Sequence, residues 1–486
     1  MQKSGLEYGR YVPNTHNWID SILETKLNHI ADVICDIDAD IIALQEVENA
    51  HTLELLTQKL SSVGCDYPYS TITHNQNSAI QVALLSRYKL IEIKELSKNL
   101  QKYDRPILEA TAMVDDTYPL TLFANHWKAK SNGGVESRRI NYAITLMDRI
   151  KRLPKRREYI VLGDLNSNYN EYQNINPKLN DTNSTTAINH ILQTIYQDRL
   201  ISKYEIISKR RGFHYNLWLE LLSSDRWSYK FYGRRFAIDH IILPPTLFDG
   251  KGVDYINNSF NVFRGSYLFN KRGWINRWQY SHNRHIGRGY SDHLPIYALF
   301  DTKAFIADTP KEITYSSIEE LYKIDKLTNP IILKNIVVVL KRGNSTIIKD
   351  DKRAIFIYNS PQRLKEGGLY NLTIDEIKSY NGLKEIVGVL DIEKIGEVDT
   401  QSYYLHQKEL DYKDPLLQNQ IFTNLVGVYR DGYLYIDNQK IPIYFKKRRF
   451  TPKDNTKLKI FYAHLGYYRR VQLVIYSQKD FKILEK

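Results

Sequence analysis

Apolar stretches of strand length, joined to polar clusters that recur in a fixed order, restrict this chain more than any other feature. The clusters are QEVE at 45–48, NHWK at 125–128, GDLN at 163–166, IDH at 238–240 and SDHLP at 291–295. The apolar runs beside them are IIALQEVE, LTLFANHW, YIVLGDLN, AIDHIIL and LPIYALF, with IQVALL between the first two. Short continuous apolar runs read as strands buried on both faces. Helical patterning intervenes at 25–36, where Leu27, Ile30, Ala31 and Ile34 share one face, and again at 138–152. Strands mixed with helices predict an α/β domain over residues 1–305. An Asp-His pair alone is usually structural. Several strand ends that each deliver a carboxylate or a histidine predict one shared active site.

After residue 305 the texture changes to alternating β-type runs, among them PIILKNIVVVL, EIVGVLDI, GYLYID and VQLVIY. Turn signals separate them at Arg342-Gly343-Asn344, Asn381-Gly382, Asp431-Gly432 and Asp437-Asn438. Two units follow, 306–400 and 401–486, each with the strand count of a small five-stranded, OB-like barrel, and 401–418 reads as the linker. Three domains agree with a length of 486 residues.

The chain carries 68 Lys and Arg against 55 Asp and Glu, a net charge of +13. That excess points to an anionic partner. It is unevenly spread. Residues 421–486 hold fourteen basic and five acidic side chains, whereas 301–420 are close to neutral. Residues 255–291 contain no Asp or Glu and mix Arg264, Lys271, Arg272, Arg277, Arg284 and Arg288 with Phe263, Tyr267, Trp274 and Trp278. Cations interleaved with aromatics can neutralise phosphates and stack on bases, although a solvated loop with core-facing aromatics has the same composition. The final unit repeats the pattern at Lys446, Lys447, Arg448, Arg449 and Phe450, followed by Tyr462, Tyr467 and Tyr468.

Several classes are excluded. No apolar run reaches the roughly 18 residues of a membrane-spanning helix. Two cysteines, Cys35 and Cys65, cannot staple a disulfide scaffold and are expected as free thiols, one bridge being the alternative. The first residues, MQKSGLEYGRYVPN, lack the apolar core of a signal peptide. The chain as written is therefore expected in the cytoplasm, as a monomer.

Hydrolysis of a phosphodiester needs an activated water, neutralisation of charge on the phosphoryl oxygens and help for the leaving oxygen. Hard divalent cations held by carboxylates suit that work. In GDLN, Asp164 and Asn166 are two apart and project to one side of an extended segment. Gly163 permits close backbone approach.

The five clusters in this order resemble the endonuclease/exonuclease/phosphatase superfamily, the deoxyribonuclease-I-like metal-dependent phosphoesterases, over about residues 10–300. The segment HYNLWLELLSSDRWSYKFYGRRFAIDHIILPPTLFDG is similar to the nuclease-like bacterial branch. The resemblance implies a four-layer α/β/β/α sandwich and a Mg²⁺-dependent enzyme, with Mn²⁺ or Ca²⁺ as substitutes. It implies that Glu46 is the principal metal ligand, assisted by Asp292. Asp164 would activate water, and Asn166 would hold a phosphate oxygen or the metal's hydration shell. His293 and His126 would face the scissile phosphate, with Asp239 fixing the tautomer of His293. Arg105 resembles a phosphate-binding arginine, although Arg-Pro is also an ordinary strand entry. His240 is expected to be structural.

The implied substrate is nucleic acid, DNA before RNA. The same site also serves phosphatases and phospholipase-C-like hydrolases of lipid or inositol headgroups, and a truncated homologue that only binds nucleic acid is a third reading. One departure bears on these alternatives. The family's first strand, with an Asn in an S/T-x-N-V-E-N-type stretch, has no counterpart before residue 8, and its absence is expected to leave a core edge unpaired. Either the coding start lies upstream, with a periplasmic or secreted destination then open, or the chain is truncated.

Overall fold

Leu27, Ala31 and Ile34 are the buried stripe of helix α1 (Asp20–Ile37), which ends where Asp38 turns left-handed and returns its N–H to the Ile34 carbonyl. In the computed structural model the described residues are 9–131, 133–209, 211–303, 305–307 and 313–484, so the stretch before residue 8, where the family's first strand would fall, lies outside them. The chain divides into two units. One comprises Met1–Leu221 and Asp225–Pro310; the other comprises Lys311–Lys486 and Leu222–Ser224. Among the described residues no helix is long and apolar enough to cross a membrane.

The first unit is a stack of four layers. Strands β1 (Ile41–Val47), β2 (Tyr69–Ile72) and β3 (Gln81–Ser86) form an antiparallel sheet in the order β1-β3-β2. Helices α1 and α2 (Ala50–Ser62) cover its outer face, packing Leu27, Ile34, Leu53 and Leu60 on Ala83 and Leu85. Asn49 caps α2 by accepting the Thr52 N–H at 2.9 Å. The larger sheet contains β4 (Leu90–Leu96), β5 (Ile107–Val114), β6 (Tyr118–His126), β7 (Glu158–Asp164), β8 (Tyr215–Asn216) and β9 (Asp239–Leu243), in the order β8-β9-β7-β6-β5-β4. Its outer face receives helix α3 (Glu136–Ile150), with Leu146, Met147 and Ile150 on Phe123 and Val161. Between the sheets, Val82 and Leu84 share one core with Leu108, Leu120, Leu122, Ile160 and Ile241. This is the α/β/β/α sandwich that the family resemblance implied, on the α/β domain expected from the buried strands.

LPIYALF departs from its expected form. It makes only two short paired segments, Ile296–Tyr297 with Asn261–Val262 and Phe300–Asp301 with Asp254–Tyr255. The partners are themselves two-residue segments, so no long ladder propagates. Among the described residues β1 pairs only with β3, and its residues are half-buried apart from the exposed Glu46, whereas every residue of β3 is buried. A cavity of about 1990 Å³ runs along that unpaired edge, bounded by Ala43 and Gln45, by Leu122 and Leu162, and by Ile296 and Ala298. Cys35 and Cys65 are both unbridged.

In the second unit the hairpin signals fall at turns. Asn381 and Gly382, and Asp431 and Gly432, all take positive φ, as two-residue turns of the primed type require. Strands β10 (Thr314–Ser316), β11 (Ile331–Arg342), β12 (Ser345–Lys349), β13 (Ala354–Ile357), β14 (Gly368–Tyr380) and β15 (Leu383–Glu397) form one sheet. Five of them close, in the order β11-β12-β13-β15-β14 and back to β11, around Ile336, Val338, Ile348, Ile355 and Leu372. The second sheet is larger than the five strands expected. Leu405–His406 and β16 (Ile421–Thr423) lie at one edge. They are followed by β21 (Ala463–Tyr467), β22 (Val471–Ile475), β19 (Gln439–Phe445), β18 (Tyr433–Ile436), β17 (Leu425–Arg430), β20 (Thr456–Ile460) and β23 (Phe481–Ile483). The extra strand β20 adds to the edge of β17, and β23 adds to the edge of β20. Residues 401–418 form three short 3₁₀ turns, as a connector should. The boundary expected at 400 does not separate compact units, because Val337, Val339 and Ile347 of the first sheet share a core cluster with Tyr404 and Ile421.

A close backbone contact joins β6 and β7. Gly163 adopts φ of 118°, and a Cβ there would stand 2.1 Å from the Asn125 carbonyl oxygen. Gly163→Ala is expected to cost on the order of 3 kcal/mol through backbone strain and a forced strand separation. The denaturant midpoint, measured at unchanged m-value, checks this.

Candidate active site

The site is a row drawn across three neighbouring strands. Parallel pairing of β6 with β7 places His126 beside Asp164, and antiparallel pairing of β7 with β9 places Asp239 on the other side of Asp164. Because side chains alternate along a strand, the flanking residues Asn125, Gly163 and His240 point the opposite way. Asn125 accepts the Trp127 indole N–H at 2.8 Å, and Trp127 stacks on Tyr142 of α3 at 5.9 Å. The NHWK cluster is thus anchored from behind. His240 is fully buried between the Ser167 carbonyl and the Asn216 amide, and burial brings its pKa down to about 4. It is a neutral structural histidine.

His293 enters from the SDHLP segment. The segment is held where Leu294 N–H donates to the Ser228 carbonyl at 2.8 Å and Tyr229 bridges His293. The His293 Nδ1 lies 2.8 and 3.1 Å from the two Asp239 oxygens, and the Tyr229 ring packs at 4.7 Å. Asp239 also accepts the Ser228 hydroxyl, and its backbone carbonyl accepts the Trp218 indole N–H at 2.7 Å. Burial opposes charge on His293, but Asp239, with Asp164 and Asp292 behind it, overrides that effect and lifts the pKa to about 10. His293 is therefore an imidazolium at neutral pH. Burial also disfavours charge on Asp239, yet His293 and the hydrogen bonds hold its pKa below the usual carboxylate range.

Asp164 behaves oppositely. Burial and then the Asp239 charge raise its pKa, with His293 and the Asn166 N–H opposing. Asn166 takes a left-handed φ of 50°, and its amide donates to Asp164 Oδ2 and to the Trp127 carbonyl, both at 3.0 Å. That amide nitrogen is committed to Asp164 and Trp127, which leaves the side-chain oxygen for the phosphate or hydration-shell contact expected of Asn166. His126 Nε2 lies 3.6 Å from Asp164, and its Nδ1 is buried with no hydrogen-bond partner. Burial, Arg105 and His293 push its pKa well down, so its imidazole is neutral. The Arg105 guanidinium donates to the carbonyls of His126 and Trp127 at 2.9 and 2.8 Å. It acts on the site as a fixed cation.

Glu46 sits on a bulge of β1, where Gln45 and Val47 pair with consecutive residues of β3, and it takes a left-handed φ of 61°. Bulges re-aim a side chain, and a non-glycine residue in this region carries local strain. Glu46 is open to the cavity yet surrounded by protein. Burial, then the charge of Asp292, raises its pKa, opposed by His293, Arg105 and Lys26. Lys26 of α1, its ammonium 4.8 Å from the Trp278 ring, is lowered to about 8 by burial. No motif signalled Lys26, Ser228, Trp218 or Tyr229; each reaches the site through tertiary packing.

The basic loop contributes unevenly. Arg277 and Trp278 border the cavity. Arg264 packs over Trp227 at 4.4 Å and donates to the Asp225 carbonyl. Lys271 and Arg272 occupy an exposed turn closed by Asn270 and are not among the residues lining the cavity. Lys446, Lys447, Arg448 and Arg449 belong to the second unit and are exposed, Lys447 and Arg449 lying over Phe450.

The donor set suits a hard divalent cation. The Asp292 charge raises the cost of ionising Glu46, and Asp164 adds a third oxygen donor whose charge burial disfavours. Ligand atoms of Asp164, Asp239 and His293 also come within 4.8 Å of one another. An imidazolium has no free lone pair, however, so carboxylates are the donors here.

The family model described as Endonuclease/Exonuclease/phosphatase family matches residues 6–302, and the chain belongs to this family of phosphoester hydrolases, generally dependent on divalent metal. No curated protein matches the chain. The chain is similar to a humanized D. rerio TDP2 at 14% identity, covering 58% of this chain and 94% of that one with a TM-score of 0.38. It is similar to an AP endonuclease from Archaeoglobus fulgidus at 14% identity, 60% and 97% coverage and a TM-score of 0.37. A 3'-5' exonuclease from Neisseria meningitidis gives 16% identity, 60% and 98% coverage and a TM-score of 0.35.

The His293–Asp239 pair stabilises the fold most fully below the ordinary histidine value of 6.5 and loses that contribution as pH rises through about 10. Asp239→Asn removes the partner charge. The His293 ring protons, followed by NMR, should then titrate at lower pH than in the parent chain.

Proposed function

We propose that the chain is a divalent-metal-dependent phosphodiesterase that hydrolyses nucleic acid, DNA in the first instance, as a monomer with Mg²⁺ (Mn²⁺ or Ca²⁺ as substitutes). The observation that carries this reading is the in-register row His126–Asp164–Asp239 with His293 hydrogen-bonded to its end. Glu46 and Asp292 would hold the metal. When bound, the ion supplies charge neutralisation for the phosphoryl oxygens.

The remaining chemistry belongs to the chain. Asp164, its affinity for protons raised by burial, takes a proton from the attacking water while Asn166 fixes its direction. His293, kept charged by Asp239, stabilises negative charge on the phosphate. His126 is neutral and buried, so it offers one N–H as a hydrogen bond to an oxygen and does not act as a strong acid. Arg105 adds fixed positive charge from behind the row. The closed five-stranded barrel around Val338 and the larger sheet after it are read as OB-like modules that hold nucleic acid, with Lys446, Lys447, Arg448 and Arg449 as phosphate contacts. Arg264, Arg277 and Trp278 would contact the strand beside the catalytic row, and Lys271 and Arg272 only a more distant part of it.

The test uses purified chain with Mg²⁺, Mn²⁺ or EDTA on plasmid, single-stranded DNA, RNA and sphingomyelin. Cleavage of DNA that EDTA abolishes is expected. Asp164→Ala and His293→Ala should each lower the rate by about 10²–10⁴-fold without lowering the thermal midpoint into the assay range. Faster turnover of sphingomyelin than of any nucleic acid would assign the site to lipid headgroups. Nucleic-acid binding without cleavage under every metal condition would make the chain a binding protein.

A further inference from the structure

Among the described residues of β17, β18, β19, β20 and β23, the outward face carries charge of one sign only. Along β17, β18, β19, β20 and β23 the inward positions are apolar: Leu425, Leu434, Ile441, Leu458 and Phe481 pack in one core. The opposite face is set by register. Arg430 pairs with Tyr433, Val428 with Tyr435, and Tyr435 with Lys440. Further along the same face, Val428 pairs with Lys457, Val426 with Lys459, and Lys459 with Lys482. Every pair joins two outward positions, and none is acidic. The neighbouring acids lie in turns: Asp454 accepts the Asp431 N–H, and Asp437 accepts the Gln407 amide.

Tyrosines organise this face. Lys440 lies 4.2 Å from the Tyr433 ring and Arg430 lies 4.6 Å from the Tyr435 ring. Arg470, from the turn between β21 and β22, reaches over Tyr433 at 5.4 Å and donates to its hydroxyl at 3.1 Å. Tyr444, 47% exposed, continues the face along β19 toward Lys446. A solvated protein surface ordinarily intersperses both signs, because like charges held together repel. Five strands, four of them bearing cations and none an outward carboxylate, leave that repulsion for an external polyanion to relieve. Aromatic rings two residues apart on one strand stand roughly 7 Å from each other, a spacing that admits unstacked bases.

We infer that this face is a binding platform for a single nucleic-acid strand. Its phosphates lie along the rows led by Lys440, Arg430 and Lys457, and its bases stack at Tyr433, Tyr435 and Tyr444. The inference rests on the reading of the substrate as nucleic acid and adds a surface on a different unit from the catalytic row.

The test is fluorescence anisotropy of a labelled 20-residue oligothymidylate with the full chain in EDTA, over 50–200 mM salt. The double variant Tyr433→Ala/Tyr435→Ala should bind about 5- to 150-fold more weakly. The Tyr→Phe counterpart should keep the parent affinity. Lys440→Glu/Lys457→Glu should lower the slope of log affinity against log salt by about 0.7 for each phosphate left without its lysine. Circular dichroism and thermal melts accompany each variant, and the charge reversals carry the test if the tyrosine variant does not fold. Parent affinity and parent salt slope in folded variants overturn the inference. So does equal binding of dextran sulfate with no effect of the tyrosines, which marks a general polyanion surface, or binding of phosphatidylglycerol vesicles in preference to the oligonucleotide. Cleavage of DNA by the parent chain is read separately. Cleavage with unaffected variants removes only the platform, whereas no cleavage with weakened variants removes only the nuclease reading.

Discussion

Everything chemical in the first unit depends on the pairing of β6, β7 and β9. A shift of one residue in either pairing would turn His126, Asp164 or Asp239 to the opposite face of the sheet. The register is fixed from both sides. Gly163 lies against the Asn125 backbone at a distance no side chain could share, and the Asn125 amide ties Trp127 to the sheet. Trp127 N–H then donates to the Asp164 carbonyl, and Leu165 N–H donates to the Ile238 carbonyl, carrying the pairing one residue past each strand end. The carboxylate row is a by-product of these backbone constraints, so it is rigid before any ligand arrives.

That rigidity gathers like charges, and the protein distributes the cost unequally. Asp239 is buried but has His293 and the Ser228 hydroxyl, so it remains ionised. Asp164 has only the Asn166 amide and N–H, so its proton affinity rises. Two carboxylates side by side thereby acquire different tasks: one fixes a charged imidazole and the other accepts protons. Arg105 cannot neutralise either directly, because two of its donors are committed to backbone carbonyls. It keeps a positive charge close to the row without competing for the carboxylate oxygens.

The residues legible in the sequence were those whose chemistry coincides with a strand end. His126, Asp164, Asp239 and His293 stand in clusters that interrupt apolar runs, and the structure brings all four together. Asn381-Gly382 and Asp431-Gly432 were legible because positive φ at both positions selects those residue types. Lys26 and Ser228 gave no signal: one lies on an amphipathic helix like any surface lysine, and the other is a loop serine. The bulge at Glu46 was equally silent, since its cause is the mismatch of pairing with β3. LPIYALF misled because apolarity predicts burial, whereas a strand also needs partners of its own length. The second sheet exceeded five strands for the converse reason. TKLKI and FKI are too short and too rich in lysine to stand out as apolar runs, yet β17 pairs with the first and the first with the second.

The two units use charge in opposite ways. In the first, Glu46, Asp164, Asp239 and Asp292 share a site with Arg105, His293 and a Lys26 whose charge is weakened by burial. On the proposed reading, a cation held by those carboxylates would offset their repulsion of a phosphate, linking metal binding and substrate binding thermodynamically. In the second, the outward face of β17 to β20 holds cations that need no metal to attract phosphate. Salt therefore acts on them differently. It screens the exposed lysines strongly, whereas the buried carboxylate row is screened much less. On the proposed reading, occupancy of the sheet face would be set by ionic strength and competence of the row by the divalent ion, which makes the two dependences separable in one chain.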